Sequence, residues 1–199
     1  MKYILSDSGY HGQFRPLSLT RSIADFRIGI LTLREKWEKY LGEKVYVRTE
    51  PYLQAKYEVV DDSDCVVIPS VLLPDCNIAK VIRSLETGML TKDGVVLASV
   101  EPTEPSASEV EYSGKVFMLK SLTDIFSFNG MEINKDFELL TAGRKSRPLS
   151  ATNVSFGKCP VFVEEGCSIE CATLNTNDGP IYIGANAEVM EGANIRGPF

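Results

Sequence analysis

Between Gly157 and Phe199 the aliphatic residues return at every sixth position. Ile183, Val189 and Ile195 open the blocks IGANAE, VMEGAN and IRGPF, and Ala187 and Ala193 stand four places after the first two. Upstream, Val163 and Ile169 keep the spacing, with Cys167 and Thr173 four places after each. A six-residue period matches neither the 3.6 of a helix nor the 2 of a strand. It suits a coil with flat faces, in which every sixth aliphatic points to the axis and a small residue fits beside a corner. An ordinary β-meander would show such spacing only by coincidence. Ile169 and Ile183 are fourteen residues apart, two sixes plus two, so a short insertion is expected around Asn175–Pro180. A stack of so few coils leaves Phe199 on an open edge, which calls for a cap, a partner or more chain. The expectation is that these 199 residues are the N-terminal portion of a longer protein.

This repeat resembles the hexapeptide-repeat, left-handed β-helix acyltransferases. Members of that class use a histidine base on the acceptor amine or hydroxyl. The sole histidine here, His11, lies at the other end of the chain, as an exposed loop residue or a phosphate contact. No acyl transfer is therefore expected from this chain, and acetyl-CoA would belong only to a full-length protein. The resemblance implies a homotrimer for that longer protein. About two coils offer little apolar contact area, so the present chain is expected to be monomeric or weakly associated.

The net charge of −6 and a pI near 5.0 argue against a nucleic-acid partner. No apolar run approaches a membrane span. Met1 leads directly into KYIL without a signal peptide, and a cytoplasmic protein is expected. The five cysteines form no CxxC pair and read as reduced thiols rather than a zinc site.

Along the chain, Lys2–Leu5 predicts a first strand. Thr32-x-x-Glu35 is a capping box, opening a helix with Leu33, Trp37, Tyr40 and Leu41 on one face and Gly42 at its end. Lys44–Arg48 predicts a second strand, residues 51–64 irregular or briefly helical chain, and Cys65–Pro69 a buried parallel strand. A helix is expected over Asn77–Thr87, closed by Gly88, then a buried strand over Gly94–Val100 and a loop over 101–108. Lys115–Lys120 reads as a strand, Ser121–Phe128 and Ile133–Ala142 as two helices, and Arg144–Ser150 as a charged link. This alternation gives an α/β fold.

The first strand runs into SDSGYHGQFRPLSLT. Glycines after a first strand let backbone N–H groups approach phosphate oxygens, and an arginine adds charge. The candidate binding residues are Ser8, Gly9, Gly12 and Arg15. Alone, the loop is as readily a plain surface turn, since it is not GxGxxG. Arg15-Pro16-Leu17-Ser18-Leu19-Thr20-Arg21, however, resembles the signature of sugar nucleotidyltransferases, where a glycine-rich loop ends in an arginine followed by Pro-Leu-Thr. The stretches RPLSLTRSIADFRIGILTLREKWEKYLG, DFELLTAGRKSRPLS and LNTNDGPIYIGANAEVMEGANIRGPF resemble a Bacteroidetes-type subgroup of GlmU-like proteins. Those join a divergent nucleotidyltransferase-like domain to a hexapeptide-repeat acyltransferase domain. The resemblance implies a three-layer, mostly parallel nucleotidyltransferase-like sheet over residues 1–148. A linker and the first coils of a left-handed β-helix follow over 149–199.

It also implies nucleoside triphosphate and sugar 1-phosphate as small-molecule partners, with catalytic roles for Arg15 and Arg21 and a phosphate contact from Arg27. Three departures bear on activity. The family's Mg²⁺-holding aspartate ends a central strand, but the corresponding position is Ser70, and no carboxylate follows until Asp75. Magnesium needs hard oxygen ligands, so its place here is open. The lysine after Pro-Leu-Thr is missing, with Ser22 and Ile23 in that zone, and arginine is not its equivalent. The sugar-binding half is short. Two functions therefore compete: nucleotidyl transfer from NTP to sugar 1-phosphate, or a catalytically degenerate binding or assembly domain serving an acyltransferase half.

Overall fold

The computed structural model describes residues 1–61, 63–103 and 108–199. The chain divides into two compact units, one formed by Met1–Arg27 and Leu31–Ile125, the other by Ile28–Ile30 and Phe126–Phe199.

The first unit is built on a six-stranded sheet in the order β2-β1-β3-β5-β4-β6. Its strands are β1 (Lys2–Ser6), β2 (Val45–Arg48), β3 (Cys65–Pro69), β4 (Met89–Lys92), β5 (Val95–Glu101) and β6 (Glu109–Glu111). β1 lies parallel between β2 and β3, and β6 runs parallel to β4; β5 is antiparallel to both β3 and β4. The sheet is thus largely parallel, with an antiparallel β4–β5 hairpin that the sequence reading missed. Asp93 and Gly94 turn that hairpin in the left-handed region, at φ 50° and 78°.

Helix α1 (Leu33–Leu41) begins where expected. Thr32 Oγ1 accepts from Glu35 N at 3.2 Å, Glu35 Oε2 accepts from Thr32 N at 2.7 Å, and Gly42 closes the helix at φ 73°. Trp37 is fully buried and donates from Nε1 to the Leu72 carbonyl at 3.0 Å. Pro51 starts the short α2 (Pro51–Gln54), and Asp75 caps α3 (Cys76–Arg83), which ends earlier than the sequence suggested. The core gathers Leu5, Val47, Val66, Ile68 and Leu97 from the sheet against Trp37, Leu41, Ile78 and Ile82.

Two expectations fail here. Residues 115–120 form no strand; Met118 pairs with Leu72 in one isolated antiparallel bridge, flanked by backbone bonds from Leu73 N to Phe117 O and from Leu119 N to Val71 O. The two helices expected over 121–142 are one, α4 (Leu122–Thr141), which continues through Gly130 because an open glycine costs a helix interior only about 1 kcal/mol. Gly143, at φ 71°, follows its end. Of the loop expected over 101–108, residues 104–107 lie outside the described residues, as does residue 62 of the segment 51–64.

The second unit stacks three parallel sheets. Here β7 (Val154–Gly157), β10 (Thr173–Thr176) and β13 (Asn194–Arg196) form one, β8 (Val161–Val163) and β11 (Ile181–Ile183) another, and β9 (Ser168–Ile169) and β12 (Glu188–Val189) the third. Stacked partners lie twenty residues apart on two faces, as in Ile181–Val161 and Glu188–Ser168. Ile183, Val189 and Ile195 therefore do not stack on one another. They point from three faces into one core, and each lies over the preceding turn of chain, on Val163, Ile169 and Leu174. The extra residues expected as a single insertion around Asn175–Pro180 are a corner that recurs. Ile181 N donates to Pro160 O at 3.1 Å and Phe199 N to Pro180 O at 3.0 Å, so 157–160, 177–180 and 197–199 stack as one column. Ile28–Ile30 join this unit by backbone bonds to α4: Gly29 N to Asn129 Oδ1 at 2.7 Å and Ile30 N to Asp136 Oδ2 at 2.8 Å. Gly29 is required there, since a Cβ would meet Asp136 Oδ2 at 2.6 Å and φ is +85°.

Candidate functional site

The three parallel strands β2, β1 and β3 end side by side, with Arg48, Ser6 and Pro69 in register. The residues just beyond them, Thr49, Asp7 and Ser70, form a polar row at the carboxyl edge, where open α/β sheets take ligands.

Asp7 is the hub of this row and is 1% exposed. Its Oδ1 accepts from Ser22 Oγ at 2.9 Å; its Oδ2 accepts from Thr49 Oγ1 at 2.5 Å and from Ile23 N at 3.3 Å. The Asp7 carbonyl accepts from Tyr10 N and His11 N, turning the chain sharply after β1. Ser22 N in turn donates to Tyr57 Oη at 2.9 Å, and Tyr57 donates to Asp25 Oδ2 at 2.7 Å. Burial first, with the hydrogen bond to Asp25 adding to it, pushes the Tyr57 phenol up to about 12. Arg34 reaches Asp25 Oδ1 at 3.3 Å. Ser70 is fully buried, and its hydroxyl has no hydrogen-bond partner.

The loop residues taken from the sequence lie together beyond β1. Ser8 is exposed, its N–H on Ser6 Oγ at 3.3 Å. Gly9 adopts φ +79°, and a Cβ at Gly9 or Gly12 would meet nothing within 4 Å. The space over both glycines is open, while only Gly9 needs glycine for its conformation. Gly12 opens onto solvent in a single 3-10 turn, His11–Phe14, and Arg15 follows it directly. Arg15 and Arg21 are exposed and make no ion pair among the described residues. Arg27 is placed differently: it faces the capping-box carboxylate of Glu35 at 3.9 Å, at the start of α1.

The sequence reading missed the buried frame behind this loop. His11, taken as an exposed loop residue or a phosphate contact, is 3% exposed and packed behind the loop. The available signal was the Asp7-x-x-x-His11 spacing directly after a strand, which places both in one tight turn.

The donor set at the strand ends does not fit a divalent cation. Magnesium takes hard oxygens, preferably carboxylates. Both Asp7 oxygens are committed to donors, Asp25 to Tyr57 and Arg34, and Asp75 to the backbone of α3. The position after β3 offers only the Ser70 hydroxyl. Among the described residues no group of three or more His, Cys, Asp or Glu converges, and no helix is long and apolar enough to cross a membrane. Cys65 and Cys167 are buried, Cys76 and Cys171 exposed, and all five thiols are free.

A family model described as sugar nucleotidyl transferase matches residues 3–145. No curated protein matches the chain.

Proposed function

This chain belongs to the sugar nucleotidyl transferase family, and we propose on that premise that its first unit binds a nucleoside triphosphate and a sugar 1-phosphate over the carboxyl ends of β2, β1 and β3. Ser8, Gly9 and Gly12 offer backbone donors to phosphate oxygens. Arg15 and Arg21 meet the charge on the phosphates, and Arg27 is a secondary cation. The reaction is transfer of the nucleotidyl group to the sugar phosphate with release of pyrophosphate. Its acceleration comes from positioning and from fixed charge on the chain. The observation that carries this reading is the open loop over Gly9 and Gly12, followed by the exposed Arg15 and Arg21, which make no ion pair among the described residues, at the edge where such sheets take ligands.

A second reading keeps the binding and drops the catalysis. The Ser70 hydroxyl, standing where the family carries a carboxylate, favours it. In that case the unit serves as a binding or assembly domain for a partner domain.

The three-sheet stack is consistent with the start of a left-handed β-helix of the hexapeptide-repeat, GlmU-like kind. On that reading a protein carrying a complete helix of this kind is a homotrimer with acetyl-CoA sites, and the present chain is monomeric or weakly associated.

Thermal-shift titration of UTP, dTTP and sugar 1-phosphates tests binding, since any ligand of the folded state raises its stability by mass action. Arg15→Ala should weaken the shift without lowering the unliganded melting temperature. Unchanged affinity would remove Arg15 from the site. A coupled pyrophosphate assay separates the two readings, because only the first produces pyrophosphate.

A further inference from the structure

Behind the phosphate loop, three side chains run from the interior to the surface as carboxylate, imidazole and phenol. His11 Nδ1 lies 3.6 Å from Asp7 Oδ2 and has no hydrogen-bond partner of its own. His11 Nε2 lies 3.1 Å from Tyr52 Oη, with the two rings edge to face. Tyr52 is 56% exposed, so the row ends in solvent above the strand ends. Each member is held from behind. Asp7 is fixed by Ser22, Ile23 and Thr49, the His11 carbonyl accepts from Ser18 Oγ at 2.8 Å, and α2 carries Tyr52 just past β2.

The chemistry of the proposed transfer tells what such a row can do. A sugar 1-phosphate is already an anion, so its attacking oxygen needs no base. The charge to be met develops on the departing pyrophosphate. Resting on the nucleotidyl-transfer reading above, we infer that Tyr52 is the general acid of that transfer, with His11 and Asp7 as positioning residues that resupply its proton.

In the step, the sugar-phosphate oxygen bonds to the α-phosphorus. The bond from that phosphorus to the bridging oxygen breaks, and its electron pair leaves on pyrophosphate. The Tyr52 Oη proton passes to that oxygen. A proton from His11 Nε2 then returns to the Tyr52 oxygen. Solvent then reprotonates the imidazole. The Asp7 carboxylate, 3.6 Å from Nδ1, places negative charge beside the ring, while the Nε2 contact to Tyr52 sets the path of the proton.

The test is steady-state pyrophosphate release by the full chain with an NTP and sugar 1-phosphate pair selected by thermal shift. Tyr52→Phe should lower kcat by about 10²–10³-fold, within the range for one general acid, with KM and ligand-induced thermal shift unchanged. The loss should be larger with a β,γ-methylene NTP, whose leaving group is more basic, than with its β,γ-difluoromethylene analogue. His11→Gln, which can still hold the Tyr52 hydroxyl but cannot relay a proton, should show the same loss of kcat at unchanged KM. A Tyr52→Phe protein that turns over like the wild type, or a loss independent of the leaving group, overturns the assignment alone. A wild-type chain that binds both ligands yet releases no pyrophosphate overturns it together with the transfer reading and leaves the binding domain standing.

Discussion

Ser22 Oγ donates a hydrogen bond of 2.9 Å to Asp7 Oδ1, and both residues are buried. That bond ties the end of the Arg-Pro-Leu segment back onto the end of β1. The loop between them is thereby closed, with its two ends fixed to one carboxylate. Asp7→Asn replaces an acceptor-only group by one that turns an N–H₂ toward a cluster of donors. Unpaired buried donors cost about 1–3 kcal/mol each. We expect a loss of about 2–4 kcal/mol, in the range seen when one side of a buried charged network is removed. A urea midpoint unchanged from the wild type would show that the carboxylate does not hold the loop.

Tyr57 gives an alkaline test of the same frame. Its folded-state phenol is raised to about 12, mainly by burial and then by donation to Asp25. A raised folded value means the neutral phenol stabilises the fold fully below its unfolded value near 10, and that contribution is lost as pH rises from about 10 toward 12. Tyr57→Phe should remove this part of the alkaline fall and lower stability near neutral pH, since Ser22 N loses its acceptor. The check is melting temperature against pH for both proteins. Parallel curves above pH about 10 would contradict the coupling.

Glu164 works in the opposite direction at the other end of the scale. Arg144 forks onto both of its oxygens, at 2.8 and 2.6 Å, and Tyr182 Oη donates to Oε1. The Arg144 hydrogen bonds first, then that of Tyr182, hold the Glu164 carboxyl below its ordinary value. A lowered folded value gives stability that is present above the unfolded range and lost as pH falls through the folded one. Glu164→Gln should flatten the acid limb of stability while changing the neutral plateau little, because Arg144 is half exposed and surface pairs contribute about 0–1 kcal/mol. Added salt should narrow the gap between the two proteins.

The legible parts of this chain were those governed by local rules. The Thr32–Glu35 box, the Gly42 cap and the apolar run Cys65–Pro69 depend on neighbours in sequence, and they fold as read. The six-residue spacing marked Ile183, Val189 and Ile195, which face one core from three sheets. What escaped was set by distant contacts. Met89–Lys92 lies between the expected helix and the expected strand, and becomes a strand only by pairing with β5. Gly130 looks like a break, yet α4 runs on through it. The loop glycines announced a candidate site, but Asp7, Ser22, Thr49 and Tyr57 meet only once the chain has crossed from β1 to β2. Polar residues spread over fifty positions carry no period to betray them.

The recurring corner of the second unit allows the sharpest steric prediction. Gly179 and Gly197 follow β10 and β13 in successive turns of chain. A Cβ on Gly197 would meet the Gly179 carbonyl oxygen at 2.1 Å and the Pro180 oxygen at 2.8 Å, and one on Gly179 would meet Pro198 N at 2.7 Å. Backbone atoms cannot swing aside as a side chain can, so the two corners would have to part. Gly197 N donates to Asn175 O at 2.9 Å, and Tyr182 N to Phe199 O at 2.9 Å, so parting them strains the bonds that stack these turns. Gly179→Ala and Gly197→Ala should each destabilise this unit by about 1–3 kcal/mol, as overpacking does. Gly184→Ala is the control: its Cβ would meet nothing within 4 Å, and a change within about 0.5 kcal/mol is expected. Hydrogen exchange read by mass spectrometry distinguishes a local effect from a global one. Amides of 181–183 should exchange faster in the two corner variants, while those of β1 and β3 stay as in the wild type. Equal protection in all three variants would mean that the corners are not packed as closely as their backbones indicate.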